Sequence, residues 1–276
     1  MKRKFTIILA LLLIFSFATG CSGNNSDRDT ADKGELTFKE AMSRKGTHVW
    51  YDLESLAGRN SVVLRAIVIT DDKAIVYDPK DVMAWNKEPL GRLEDYTALS
   101  QEEAAELIDQ KYKEAYKNHY DSLINNNLGS AESKLKSQRT EELIENIKET
   151  HEELTSSDFS EKEPQEYDFH MILDSTGNKA ESEALRTTVT YEKNFVNKPD
   201  GSMQGYPVFS ITEETEEEQF FAVDDVVAPF EVYDEFYGGF SAGASSGTPV
   251  YLITKCREDT VFTFDPVGKE GITIVK

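Results

Sequence analysis

Ser241 stands in Gly239-Phe240-Ser241-Ala242-Gly243, the G-x-S-x-G spacing in which a serine on a sharp strand-to-helix turn attacks an acyl carbon. That chemistry needs a helix after the serine and then, in chain order, an acid and a histidine. Neither follows. Ala244-Ser245-Ser246-Gly247-Thr248-Pro249 has loop composition, and His48, His119, His151 and His170 all precede Ser241. A Gly-rich loop between strands explains the same residues, so a hydrolase built on Ser241 is disfavoured. His119 and His151 fall on apolar helix faces and could approach one another in a helix pair. A metal site would need further ligands at fixed spacing, and neither H-E-x-x-H nor a Cys/His cluster occurs. The acidic run Glu213 to Glu218 lacks the spaced oxygens and glycine of a calcium loop. With no Walker loop and no G-x-G-x-x-G, no metal, cofactor or complete catalytic constellation is expected.

The two cysteines, Cys21 and Cys256, sit in different settings. Lys2, Arg3 and Lys4 precede an almost unbroken apolar run from Phe5 to Ala18, shorter than the roughly 20 residues a spanning helix needs and typical of a signal-peptide core. Ala18-Thr19-Gly20 then leads into Cys21. This resembles the lipobox of bacterial lipoproteins, apart from Ala18 where that family more often has Leu. The resemblance implies a diacylglyceryl group with palmitate-type chains on the Cys21 sulfur and cleavage that makes Cys21 the new N-terminus. An ordinary secretory cleavage is the alternative. Two acyl chains, at about 0.8 kcal/mol per buried methylene, anchor a protein far better than one. Cys256, in Val250-Tyr251-Leu252-Ile253-Thr254-Lys255-Cys256, reads as part of a strand and thus as a buried small hydrophobe. Lys255 and Arg257 beside it are what an activated thiol would need.

The aromatic residues are the candidate binding groups. Trp50, Tyr51, Trp85, Tyr233, Phe236 and Tyr237, the last three beside Asp234 and Glu235, are the usual materials of a ligand or partner surface, and equally of a core.

These groups need elements to hold them. Residues 22 to 35 are polar and Gly-containing, a tether with a reach of roughly 20 Å, so the folded region should run from 36 to 276. Val49, Tyr51 and Leu53 alternate with His48, Trp50 and Asp52, the run Val62 to Ile69 is broken only by Arg65, and Asp71-Asp72 turns into Lys73 to Tyr77: a β-hairpin. Ser100 followed by Glu103 is a capping box. Ala104, Ile108, Tyr112, Ala115, His119 and Leu123 then recur at steps of four and three along one helix face. Asn125-Asn126-Asn127 and Gly129 should end that helix, and a second, from about Ala131 to Leu154, should complete an antiparallel pair. Beyond Gln165 the pattern returns to strands: Tyr167 to Leu173, a turn at Asp174 to Asn178, Leu185 to Tyr191, Val208 to Ile211, Gln219 to Val223, Val250 to Thr254, Thr260 to Phe264 and Gly271 to Val275. The expected fold is α+β: mainly antiparallel sheet, with an amphipathic helical hairpin at about 100 to 155 between two β-rich halves, the hairpin being part of one domain or an insertion in it.

The chain has 276 residues, with Lys+Arg 30 against Asp+Glu 51 and a net charge of -21. Such a balance repels phosphate backbones and argues against nucleic-acid partners. Val49 to Leu53 with the hairpin to Tyr77, Leu90 to Leu107, the Asp174 to Asn178 turn and Asp265 to Gly271 are similar to pieces of uncharacterised Gram-positive cell-surface lipoproteins, a resemblance that brings no activity with it. The expectation is a lipid-anchored extracytoplasmic protein of the cell membrane that binds or scaffolds a protein or wall polymer. A substrate-binding lipoprotein of a transporter is the alternative, although such proteins have two α/β lobes.

Overall fold

The computed structural model describes residues 34–56, 58–79, 86–134, 144–145, 148–149, 162–192, 196–198, 208–210, 214–243 and 250–275. Cys21, Trp85 and His151 lie outside them. Lys33–Lys276 forms one unit by itself.

A short strand, β1 (Glu35–Thr37), leads into a one-turn helix, α1 (Phe38–Met42). Thr37 and Glu40 close a capping box at its start, which satisfies two amides that a five-residue helix could not otherwise pair. The expected hairpin follows as β2 (Thr47–Leu53), β3 (Val63–Thr70) and β4 (Lys73–Tyr77), with Asp71 at φ 56 in the turn. Short 3₁₀ turns at Gly58–Asn60 and Leu93–Tyr96 flank this region. Then comes α2 (Gln101–Lys134), opened by the predicted box: Glu103 N–H donates to Ser100 Oγ at 3.1 Å, and Ser100 N–H to Glu103 Oε2 at 2.8 Å.

Residues 144–145 and 148–149 are helical, and the elements named from 162 to 275 are strands: β5 (Gln165–Leu173), β6 (Ala180–Glu192), β7 (Val196–Lys198), β8 (Val208–Ser210), β9 (Glu214–Val223), β10 (Asp225–Val232), β11 (Glu235–Ala242), β12 (Val250–Cys256), β13 (Val261–Thr263) and β14 (Ile272–Val275).

Ten of the strands form one curled sheet in the order β10-β11-β12-β2-β3-β4-β5-β6-β9, with β14 parallel to β5. The two outermost strands are consecutive, joined only by Asp224, so one run of chain supplies both margins and bends the sheet back toward itself. Pairs β1-β13 and β7-β8 stand apart from it.

Mainly antiparallel β is thus observed, but one detail of the expected fold is corrected. Asn125 to Gly129 do not end the helix, which runs through them to Lys134, so no turn of a helical hairpin lies there. The β-rich stretches before and after α2 are both present, and they merge into one sheet: β2 to β4 occupy its middle, between strands from the later part of the chain.

Two cores explain why β2 is buried on both faces. Trp50 points inward with Ile67, Ile69, Phe169, Leu185, Phe221 and Phe240, and α1 plugs this space with Phe38, Ala41 and Met42. Phe38 meets Phe240 edge-on at 5.0 Å, and burying such a side chain stabilises by about 2 kcal/mol. Val49, Tyr51 and Leu53 point outward, under the apolar face of α2: Ala104, Ile108, Tyr112 and Ala115.

Candidate functional site

Of the five aromatic candidates among the described residues, one is exposed. Trp50, Tyr51 and Tyr237 are wholly buried, Trp50 in the inner core and the two tyrosines in the outer one. They are packing residues and form no binding surface. The alternation that makes β2 and β11 strands buries both faces here: α2 covers the outer side of β2, and Tyr237 of β11 packs against Tyr51 and Phe230. Phe236 is half-buried beside Cys256.

Tyr233 is 54% exposed. It and Asp234 are the two central residues of the β10-β11 hairpin, at φ 51 and φ 65, a left-handed backbone that usually takes Asn-Gly and is rare for a bulky side chain. Two neighbours hold its ring. Arg59 Nη1 donates to the Tyr233 hydroxyl at 3.0 Å, with the guanidinium 5.8 Å from the ring centroid, and the hydroxyl reaches Glu94 Oε2 at 3.5 Å. Three separate segments therefore meet at this tip: an aromatic face with a cation on one side and a carboxylate on the other. Such a group can stack on an apolar surface while offering both hydrogen-bond polarities.

Ser241 lies within β11, not in a loop, and faces Asp225 and Tyr251 across the ladder. Through Tyr251 it is level with Leu53 of β2. His48 sits at the other end of that strand, roughly 17 Å away at about 3.3 Å per residue, with its Nε2 against the Lys45 carbonyl oxygen at 2.8 Å. His170 is on β5, bonded to Asp168 at 3.1 Å and edge-on to Phe220. His48 is thus out of reach of Ser241, and His170 is engaged by Asp168. The Asp168 carboxyl is held below its ordinary range, chiefly by the bidentate Arg186 guanidinium.

Cys256 is a half-buried free thiol whose pKa burial pushes up to about 12, leaving almost no thiolate at neutral pH. Its flanks are occupied elsewhere. Lys255 Nζ donates to the Thr97 and Leu99 carbonyls at 2.6 and 2.8 Å, and Arg257 pairs with Asp259.

A small recess of about 190 Å³ opens where the curled sheet leaves its interior uncovered, lined by Asp52, Arg65, Phe220, Phe221, Val250 and Leu252. Nε and Nη2 of Arg65 both meet Asp52 Oδ2 at 2.5 Å, and the guanidinium lies 4.9 Å from the Phe221 ring centroid. Burial raises the Asp52 pKa against the pull of Arg65, and Asp52 Oδ1 has no hydrogen-bond partner. Sequence reasoning passed over this pair. Its signal was Arg65 interrupting an apolar strand, opposite an Asp at an inward position of β2.

Among the described residues no cluster of three His, Cys, Asp or Glu side chains could hold a metal ion, and no helix is long and apolar enough to cross a membrane. The chain matches no family model, no curated protein and no solved structure.

Proposed function

We propose that the protein is a lipid-anchored module of the outer face of the cell membrane that binds a protein or wall-polymer partner through the Tyr233 tip. The anchor is the diacylglyceryl group on Cys21, following the order of basic start, apolar run, small residues and cysteine in the sequence. The observation that carries the binding reading is Tyr233 itself. A bulky ring in the left-handed region of a hairpin costs about 1 kcal/mol or more. Here it contributes nothing to either core and stands in solvent between Arg59 and Glu94. Strain kept at an exposed aromatic is the signature of a residue retained for contact.

Two substitutions test the two halves separately. Cys21→Ser should move the protein from the membrane fraction to the culture fluid and abolish labelling by a fatty acid. Recovery of Cys21→Ser protein in the membrane would overturn the anchor. Tyr233→Ala should keep its thermal midpoint while losing the partner crosslinked on intact cells. An unchanged crosslinking pattern would overturn the binding tip.

Solute capture for a transporter is the second reading. Hollows of about 670 and 710 Å³, one beside Ser241 and Tyr251 and one beside Lys39 and Tyr167, are open to solvent rather than enclosed, and the Asp52-Arg65 recess is the most enclosed of the three. At about 190 Å³ it is below the roughly 300 to 1,000 Å³ usual for small-molecule sites. Hydrolysis at Ser241 is disfavoured, since all four histidines precede it in the chain.

A further inference from the structure

Two acidic residues occupy places where a sheet interior is normally apolar. On β6 the inward series is Glu183, Leu185, Thr187 and Val189, and Glu183 lies between Met171 of β5 and Val223 of β9. It is 1% exposed, and Asp265, in the connection from β13 to β14, is 3% exposed. The Asp265 backbone N–H donates to Glu183 Oε1 at 2.8 Å, and Asp265 Oδ2 accepts the Lys39 backbone N–H of α1 at 2.7 Å. The other two oxygens, Glu183 Oε2 and Asp265 Oδ1, have no partner. Ionised carboxylates only accept hydrogen bonds, so two of them cannot satisfy one another, whereas one proton between them satisfies both.

The neighbours decide where that proton sits. From α1, the Lys39 ammonium is turned to the Glu270 carbonyl at 2.6 Å, and Glu40 pairs with Lys269 of the connection at 2.8 Å. From β5 and β9 the pair is flanked by Met171 and Val223, both uncharged. Asp265 Oδ2 is already engaged by the α1 amide. Glu183 accepts only the one Asp265 amide, and burial, followed by the negative Asp265 beside it, pushes its pKa up to about 8. Glu183 is therefore the protonated partner at neutral pH.

We propose that Glu183 and Asp265 share a proton that latches α1 and the connection from β13 to β14 onto β6, and that surrender of this proton to solvent as the surroundings turn alkaline loosens that corner. The corner holds Phe38, Ala41 and Met42 in the inner core, so loosening it uncovers apolar surface next to the start of the folded body. The sign follows from the raised pKa: the latch is tightest below the ordinary carboxylate range and weakens as pH rises to the folded value.

Hydrogen exchange of the full chain, corrected for intrinsic rates, tests this between about pH 5 and about pH 9. Protection in 36–43 and 262–271 should fall about tenfold per pH unit up to about pH 8 and then level off, while β2 and β3 hold theirs. In Glu183→Gln, whose amide can donate to Asp265 as the shared proton does, protection should be flat across the range. Should that variant not fold, the ¹³C resonance of the Glu183 carboxyl in the unsubstituted protein reads the midpoint directly. Flat protection in the unsubstituted protein, an unaltered pH dependence in Glu183→Gln, or a Glu183 carboxyl titrating in the ordinary range would each overturn the latch.

Discussion

Without the guanidinium of residue 65, the Asp52 carboxylate would be left buried with only a proton to neutralise it. Breaking a buried pair from the cationic side costs several kcal/mol. Because Arg65 is 28% exposed, Arg65→Met should lower the unfolding free energy by about 2 to 3 kcal/mol, less than in a fully enclosed pair. Asp52 would then hold its proton more tightly than before, so the variant should gain stability on acidification from neutral pH. Asp52→Asn should show a smaller loss and no such gain, and denaturant titrations at two pH values distinguish the cases. Both this pair and Glu183 were written in the sequence as charges at inward strand positions. Extending the alternation of Leu185 and Val189 back by two residues reaches Glu183. Which burial they undergo was not legible, because it depends on strands that arrive from far along the chain.

At the level of single elements, local chemistry was a good guide where it was self-contained. The Asp71-Asp72 turn, the Ser100 box and the face from Ala104 to Ala115 all form as their spacing implies. The misplaced helix end has a plain cause. Asn and Gly within a helix cost only about 1 kcal/mol each, and a helix already propagating adds a hydrogen bond per residue. The α1 box at Thr37 and Glu40 was overlooked since a single turn shows no period. Strand β11 depends on a feature of another sort. Gly239, at φ 154, lets the backbone pass so near β12 and Trp50 that an added Cβ would overlap the Leu252 carbonyl oxygen and come within 3.1 Å of the indole. Gly239→Ala should cost about 3 kcal/mol or more, visible as a lowered thermal midpoint and lost near-ultraviolet signal from Trp50.

For the molecule as a whole, 51 acidic against 30 basic residues means that the native state works against its own repulsion. Raising the ionic strength from about 0.01 to about 0.15 M shortens the screening length and should raise the thermal midpoint at neutral pH. A midpoint that falls would show that specific ion pairs outweigh the general field. Strand order was the least legible property. Hydrophobic alternation marks a strand but carries no information on its neighbour, and pairings such as Tyr251 with Leu53 join residues far apart in the chain. One of these distant pairings also governs how the folded body would carry mechanical load. Tension drawn along the leading segment enters at Glu35 and runs down β1, whose three residues are matched in parallel with Val261, Phe262 and Thr263. Pulled along its own axis, that strand is sheared, so its rungs must yield together and cannot unzip in succession. Under the proposed Cys21 anchor, the β1-β13 pair would be where the body resists such tension.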